Sequence, residues 1–138
     1  MAKTDKTLSA AEKQAVKDRA KELRASQKKE KLEQAVLEKI AEMTEDEQAV
    51  ARRVHAMVKE LAPDLTAKTM YGMPAYADAD GRTVLMFQAA SKFGTRYSTI
   101  TFDEGADLDD GTMWPISWAL TTITDAEKLR ELVARAVG

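Results

Sequence analysis

Apolar positions recur at helical spacing over the first 62 residues of the chain. Residues 10–31 are rich in strong helix formers and carry only the thin stripe Val16, Ala20 and Leu23. A wider stripe follows at spacings of one, three and four residues, formed by Leu32, Val36, Leu37, Ile40 and Met43. The next apolar face, after a Thr44–Glu47 capping box, is formed by Val50, Val54, Met57, Val58 and Leu61. Because Pro63 cannot continue a helical hydrogen-bond ladder, the pattern predicts helices that end near Ala62.

Beyond Pro63 the helical period gives way to alternating and turn-forming residues. Asp80-Gly81 is a hairpin signal. Strands are predicted beside it and further along the chain, at 75–78, 82–88, 95–102 and 112–116. Pro115 would place the last of these strands at an edge of the sheet, because proline cannot donate to a ladder. Thr124 and Glu127 form a further capping box, which predicts a C-terminal helix.

Helices that precede and follow a run of strands indicate an α+β fold, with an antiparallel sheet covered by helices on one face. The charge is distributed unevenly along the chain. Residues 1–31 carry ten Lys/Arg and five Asp/Glu, whereas residues 32–138 carry eleven and eighteen. We therefore expect a basic helical arm over 1–31 that packs loosely, followed by one α+β domain over 32–138.

The composition excludes several kinds of site. The chain has no cysteine and a single histidine, His55, so disulfides, thiolate metal sites and multi-histidine sites within one subunit are excluded. No apolar run approaches the ~20 residues of a membrane span, and the polar, lysine-bearing N-terminus is not typical of a signal peptide. We find no catalytic motif. These features predict a cytoplasmic protein that is not an enzyme and has no membrane partner.

Two segments of the chain carry a family resemblance. Tyr71-Gly-Met-Pro-Ala-Tyr76 with the following strand Gly81–Phe87, and Gly111–Ile116 with the closing helix, resemble the YdhG-like family of bacterial domains of unknown function. The resemblance covers roughly residues 34–138. It implies a frataxin-like fold, which is a twisted antiparallel sheet of four to five strands with the N- and C-terminal helices on one face. It also implies iron as a bound ion, weak ferrous-iron handling as a function and an acceptor protein as a partner.

Two groups of carboxylates are candidate metal ligands, because hard cations prefer oxygen ligands. The first lies in the loop after the third predicted strand and consists of Asp103, Glu104, Asp107, Asp109 and Asp110. The second is suggested by the acidic helix of frataxin-like proteins and consists of Glu38, Glu42 and Glu45. The alternatives are a solvated turn for the first group and a favourable helix-dipole interaction for the second.

Aromatic and sulfur-bearing residues form a candidate ligand-binding set. They are Tyr71, Met73, Tyr76 and Trp114. Tyrosine and tryptophan line many ligand pockets, although large side chains also fill cores. Tyr71 and Trp114 are expected to be partly exposed. His55, beside an apolar face, is expected to be structural or to lie at the rim of that face.

Three functions therefore remain open from the sequence. The first is iron handling through the surface carboxylates. The second is a binding module for a small molecule or a protein, using the bend from Tyr71 to Tyr76 together with Trp114. The third is weak nucleic-acid association through the basic arm, although acidic residues interrupt its charge and it has no aromatic residue for base stacking. Specific nucleic-acid binding is not expected.

Overall fold

Nine helices and strands follow one another over residues 9–138, which are the residues described by the computed structural model. Their order is α1 (Ala10–Ala41), α2 (Glu45–Leu61), β1 (Thr66–Met70), β2 (Met73–Ala77), β3 (Thr83–Gln88), the short α3 (Ala90–Phe93), β4 (Ser98–Phe102), β5 (Ser117–Leu120) and α4 (Ala126–Ala136). Two units are distinguished along the chain, residues 1–31 and 32–138. Residues 1–8 of the predicted arm lie outside the described residues.

The described part of the first unit is helical. Ser9 caps the helix, because its hydroxyl oxygen accepts a hydrogen bond from the Glu12 N–H at 3.1 Å. The Glu12 carboxylate accepts from the Ser9 hydroxyl at 3.2 Å. Val16 and Leu23, which belong to the thin apolar stripe, are exposed. Loose packing of the arm stays a prediction.

The second unit is built on one five-stranded antiparallel sheet in the order β1-β2-β3-β4-β5. The predicted α+β class is confirmed. Alternate strand residues form a single apolar core with α1, α2 and α4, and the largest of these buried strand side chains are Tyr76, Leu85, Phe87, Ile100 and Phe102. The core-facing residues of the helices include Ile40, Val54 and Val133. Apolar burial on this scale is the dominant favourable contribution to folding.

Two predicted elements at the C-terminal end require correction. The strand predicted at 112–116 is wrong, because β5 begins at Ser117, after Pro115, which has no N–H to donate. Thr124 is not the cap of α4. Asp125 occupies that position, and its carboxylate accepts from the Lys128 N–H at 3.4 Å. The element β1 was not predicted.

Glu47 joins the start of α2 to the β3–β4 connection. It completes the predicted capping box with Thr44. Its carboxylate also accepts from the Ser91 N–H at 2.8 Å and from the Ser91 hydroxyl at 2.7 Å. Burial alone would raise the pKa of Glu47, but the hydrogen bonds from Ser91 and Thr44 lower it below the usual value. This carboxylate therefore stays ionised and holds two elements together.

None of the helices in the described part of the chain is long and apolar enough to cross a membrane.

Candidate functional site

A buried polar chain connects α1, α2 and β2. His55 Nδ1 lies 2.8 Å from Tyr76 Oη, and His55 Nε2 lies 3.0 Å from Glu33 Oε2. Lys59 Nζ approaches the same carboxylate to 2.9 Å. Tyr76 is fully buried and His55 is nearly so. The four side chains thus form one continuous network that starts at the surface with Lys59 and ends in the core.

The chemistry of the network fixes its proton positions. The hydrogen bond from Lys59 lowers the pKa of Glu33, which is therefore an ionised acceptor. His55 Nε2 must then carry a proton, and because burial lowers the pKa of His55, the ring is neutral and its Nδ1 accepts from the Tyr76 hydroxyl. Burial raises the pKa of Tyr76, which keeps that hydroxyl protonated. Since neither ring is open to solvent, the network fixes the two helices on the sheet.

The four predicted ligand-binding residues do not form one site. Tyr71 is 83% exposed at the turn between β1 and β2, whereas Met73 and Tyr76 are buried within β2. Trp114 is half-buried in the β4–β5 connection, which leaves the sheet at the end opposite the Tyr71 turn. The structure therefore separates the bend from Trp114.

The turn at Tyr71 holds a residue in an unfavourable backbone conformation. Tyr71 and Gly72 form the two-residue loop between the paired residues Met70 and Met73, with φ values of 53° and 75°. Positive φ at both positions is the signature of a type I′ hairpin turn, for which Asn-Gly is preferred. A bulky residue with positive φ is strained, and such strain is found preferentially at functional sites. The exposed tyrosine is thus held in a backbone conformation that lowers the stability of the fold.

A cleft of about 200 Å³ opens beside this turn. It is lined by Lys39, Glu42, Met43, Gly72, Met73, Ala89, Ser91 and Lys92. Lys92 lies so close to the turn that a Cβ at position 72 would be 2.7 Å from its Nζ. The cleft therefore contains two of the predicted candidates, Met73 and Glu42, and it adjoins Tyr71.

The residues that line this cleft include two cations, Lys39 and Lys92, and one anion, Glu42. The Glu42 carboxylate is paired with Lys39 at 3.2 Å, and the nearby Glu47 carboxylate is held by Ser91. Within residues 9–138, Lys92 has no ion-pair partner. An anionic group entering the cleft would thus meet one free ammonium group and a second that is shared with a carboxylate.

The carboxylates of the first predicted metal-binding group do not all line one cleft. Asp103, Glu104 and Asp109 line a cleft of about 270 Å³ together with Trp114, and the lining does not include Asp107 or Asp110. The Asp103 carboxylate accepts a hydrogen bond from the Glu104 N–H at 2.8 Å, as in a local turn.

The second group of acidic residues is divided between α1, α2 and the connection between them. Glu38 lies on α1, Glu42 follows the last residue of that helix, and Glu45 is the first residue of α2. Across the described residues, no three carboxylate or histidine side chains are grouped so that they could hold a metal ion. The predicted iron ligands stay a prediction.

Two features of these three clefts could not be identified from the sequence. They are the largest of the three and the two lysines that line the cleft beside the Tyr71 turn. A cleft of about 330 Å³ lies between β5 and α4 and is lined by residues such as Trp118, Leu120 and Leu132. The sequence feature that could have indicated this cleft is the segment from Gly111 to Thr124, which is the longest stretch of the chain without a charged residue. Lys39 and Lys92 have no sequence signal, because they come together only through the fold.

Comparisons with protein-family models, with curated proteins and with solved structures give no match.

Acidification is expected to destabilise the fold through His55. Its pKa in the folded protein is lowered from the ordinary value of 6.5, so the unfolded chain binds a proton more readily. The stabilising contribution is present above pH 6.5 and is lost as the pH falls through the lower folded value. We expect the free energy of unfolding, measured by urea denaturation, to fall less steeply with acidification in His55→Gln than in the unmodified chain.

The comparison applies above pH 4.5, because the lowered pKa values of Glu33 and Glu47 make their contributions disappear only below that value. Tyr76→Phe provides the control. It leaves the imidazole in place but removes the hydroxyl that is hydrogen-bonded to it. This loss should lower the free energy of unfolding by about 1–3 kcal/mol. Equal pH slopes for the unmodified chain and His55→Gln would contradict the assignment.

Replacing the strained tyrosine is expected to stabilise the protein. Tyr71→Asn places a residue that tolerates positive φ in the type I′ turn, and little apolar burial is lost because the ring is exposed. We expect the free energy of unfolding to rise by about 1 kcal/mol in urea denaturation. Phe93→Asn is the matched control, because Phe93 is also an exposed aromatic but lies in a right-handed helix. An unchanged or lower stability of Tyr71→Asn would show that the turn is not strained.

Proposed function

We propose that residues 32–138 form a binding module for a small anionic ligand, with the Tyr71–Gly72 turn and the adjacent cleft as its site. Two adjacent features carry the proposal. Lys92, which has no ion-pair partner within residues 9–138, lies beside Gly72, and the residue before Gly72 is the strained, exposed Tyr71. A buried carboxylate, Glu47, fixes the neighbouring Ser91 and thereby the segment that carries Lys92. The segment that carries Lys92 is thus hydrogen-bonded to the start of α2.

The size and lining of the cleft indicate the chemistry of the ligand. A volume of about 200 Å³ accommodates one anionic head group and a few further atoms, and it is smaller than the roughly 300–1,000 Å³ of sites that enclose drug-sized molecules. The remainder of the ligand would lie outside, against the Tyr71 ring. Aromatic rings favour planar or apolar partners. We therefore infer a ligand that combines a phosphate or carboxylate with a planar ring.

Iron handling, which the family resemblance implies, is the alternative function. Its support in the described residues is the cleft that contains Asp103, Glu104 and Asp109. Binding would have to use one or two of these carboxylates together with water, which gives weak and exchangeable coordination.

Phenyl phosphate is the probe for the binding module. We expect saturable amide chemical-shift changes at Gly72, Ser91 and Lys92 when the isotope-labelled protein is titrated. Lys92→Met should weaken binding by at least about tenfold, because a charge-assisted hydrogen bond contributes roughly 1.5–3 kcal/mol. Lys128→Met, in the cleft between β5 and α4, is the matched control and should bind like the unmodified chain.

Three arms of the same titration separate the sources of affinity. Inorganic phosphate tests the anion alone, benzyl alcohol tests the ring alone, and benzylamine carries the opposite charge. The proposal requires that the affinity decrease from phenyl phosphate to inorganic phosphate to benzyl alcohol, and that benzylamine bind most weakly. Equal binding of benzylamine, or an unchanged affinity in Lys92→Met, would refute it.

The iron alternative predicts a different response in the same protein. Under anaerobic conditions, ferrous iron should selectively broaden the amide signals of residues 103–110, and magnesium should not. The double change Asp103→Asn and Asp109→Asn should abolish that response, whereas Glu127→Gln with Glu131→Gln, two exposed carboxylates of α4, serves as the control pair. The same weak response to both ions would indicate ordinary surface carboxylates.

A further inference from the structure

The strand β5 forms one edge of the sheet, and its outer side faces no other strand of the described residues. The Phe102 N–H donates to the Ile116 carbonyl at 2.7 Å, which defines this directly opposite pair as hydrogen-bonded. Hydrogen-bonded pairs alternate along an antiparallel ladder, so Trp118 and Leu120 also direct their backbone groups towards β4. The N–H and C=O groups of Ser117 and Ala119 therefore point away from the sheet.

Proteins commonly protect edges with very short strands, charged side chains, prolines or covering segments. The strand β5 is short, at four residues, but it contains neither a charged residue nor a proline. The 14 residues from Gly111 to Thr124 contain no charge, in a chain that is 32% charged. Pro115 precedes the strand and does not interrupt it. By contrast, β1 at the other edge carries Lys68 at its centre.

The side chains of β5 suit an additional strand. Ser117 and Ala119 are small and exposed, whereas Trp118 and Leu120 are half-buried above the groove of about 330 Å³ that leads to α4. Met113, which precedes the strand, is 88% exposed, and Ile116 is also exposed. An added strand would cover apolar surface and would satisfy the outward backbone groups at the same time.

We propose that β5 pairs with β5 of a second copy of this chain, forming a dimer with a continuous ten-stranded antiparallel sheet. A two-fold axis at Ala119 places this small residue opposite itself and Trp118 of each copy opposite Leu120 of the other. Residues directly opposite share a face, so this register keeps the helices of both copies on the same side of the sheet. The strand is complementary to its own copy in this register, because it carries no charges that would repel each other and has a small residue at the axis; the occupant proposed is therefore a second copy. The inference does not depend on the proposed ligand site.

The full chain tests this proposal by sedimentation velocity over a wide concentration range. We expect a reversible monomer–dimer equilibrium, and Ala119→Lys should raise the dimer dissociation constant at least about tenfold, because two ammonium groups would meet at the axis. Thr69→Lys is the matched control. It adds a lysine at an exposed position of the other edge strand and should leave the equilibrium unchanged.

Hydrogen exchange identifies the surface involved. In the dimer, the Ser117 and Ala119 amides should be protected from exchange. In Ala119→Lys, the Ser117 amide should exchange as fast as in the monomer. The amides that pair β3 with β4 should remain protected in this variant. The protected β3–β4 amides show that the variant is folded. A monomer at every concentration, or a dimer that Ala119→Lys does not weaken, would overturn the proposal. Protection of Ser117 only after addition of an extended peptide would also overturn it, in favour of a different strand as the partner.

Discussion

The hydrogen bond between His55 and Tyr76 fixes the position of α2 on the sheet. Apolar contacts favour burial but are not directional, so they define a helix orientation less strictly than a buried polar pair. A buried hydroxyl that loses its partner costs about 1–3 kcal/mol, and the same penalty applies to an imidazole nitrogen. Rotating or sliding α2 over β2 would break the contact between them. Glu33 extends the constraint to α1, because it binds the other nitrogen of the same ring.

The position of α2 determines the geometry at the Tyr71 end of the sheet. The helix begins with a capping box whose glutamate, Glu47, also binds Ser91. Since Ser91 and Lys92 are adjacent, the cation of the cleft is placed by the same helix that the His55–Tyr76 pair holds. The candidate site is thus connected to the core through two hydrogen-bonded junctions. Support of this kind, in which a site is positioned by packed and hydrogen-bonded neighbours, is what precise ligand recognition requires.

Local signals in the sequence predicted the features that depend on a few neighbouring residues. The Thr44–Glu47 capping box, the apolar face of α2 and the hairpin at Asp80-Gly81 belong to this group, and together with the order of elements they were sufficient for the α+β class. The strand β1 was missed because Thr-Ala-Lys-Thr-Met has no clear alternation. Without it, the Tyr71–Gly72 segment could not be interpreted as a two-residue hairpin.

The site itself depends on contacts between residues that are far apart in sequence. His55 and Tyr76 are 21 residues apart, and the cleft combines residues from the end of α1, the first hairpin and the β3–β4 connection. No periodicity relates such positions. The candidate carboxylates show the opposite limitation, because residues that cluster in sequence, from Asp103 to Asp110, are divided between the lining of one cleft and positions outside it.

The tight turn at Tyr71 also affects the entropy of binding. A tyrosine on a long flexible loop loses backbone freedom when a ligand orders it, and that loss weakens the complex. In a two-residue turn between paired strands, the backbone of Tyr71 is already restricted before any ligand arrives. The ring has only two side-chain torsions left to fix. A ligand that stacks on Tyr71 would therefore retain more of its contact energy as affinity, even though the contact area is small.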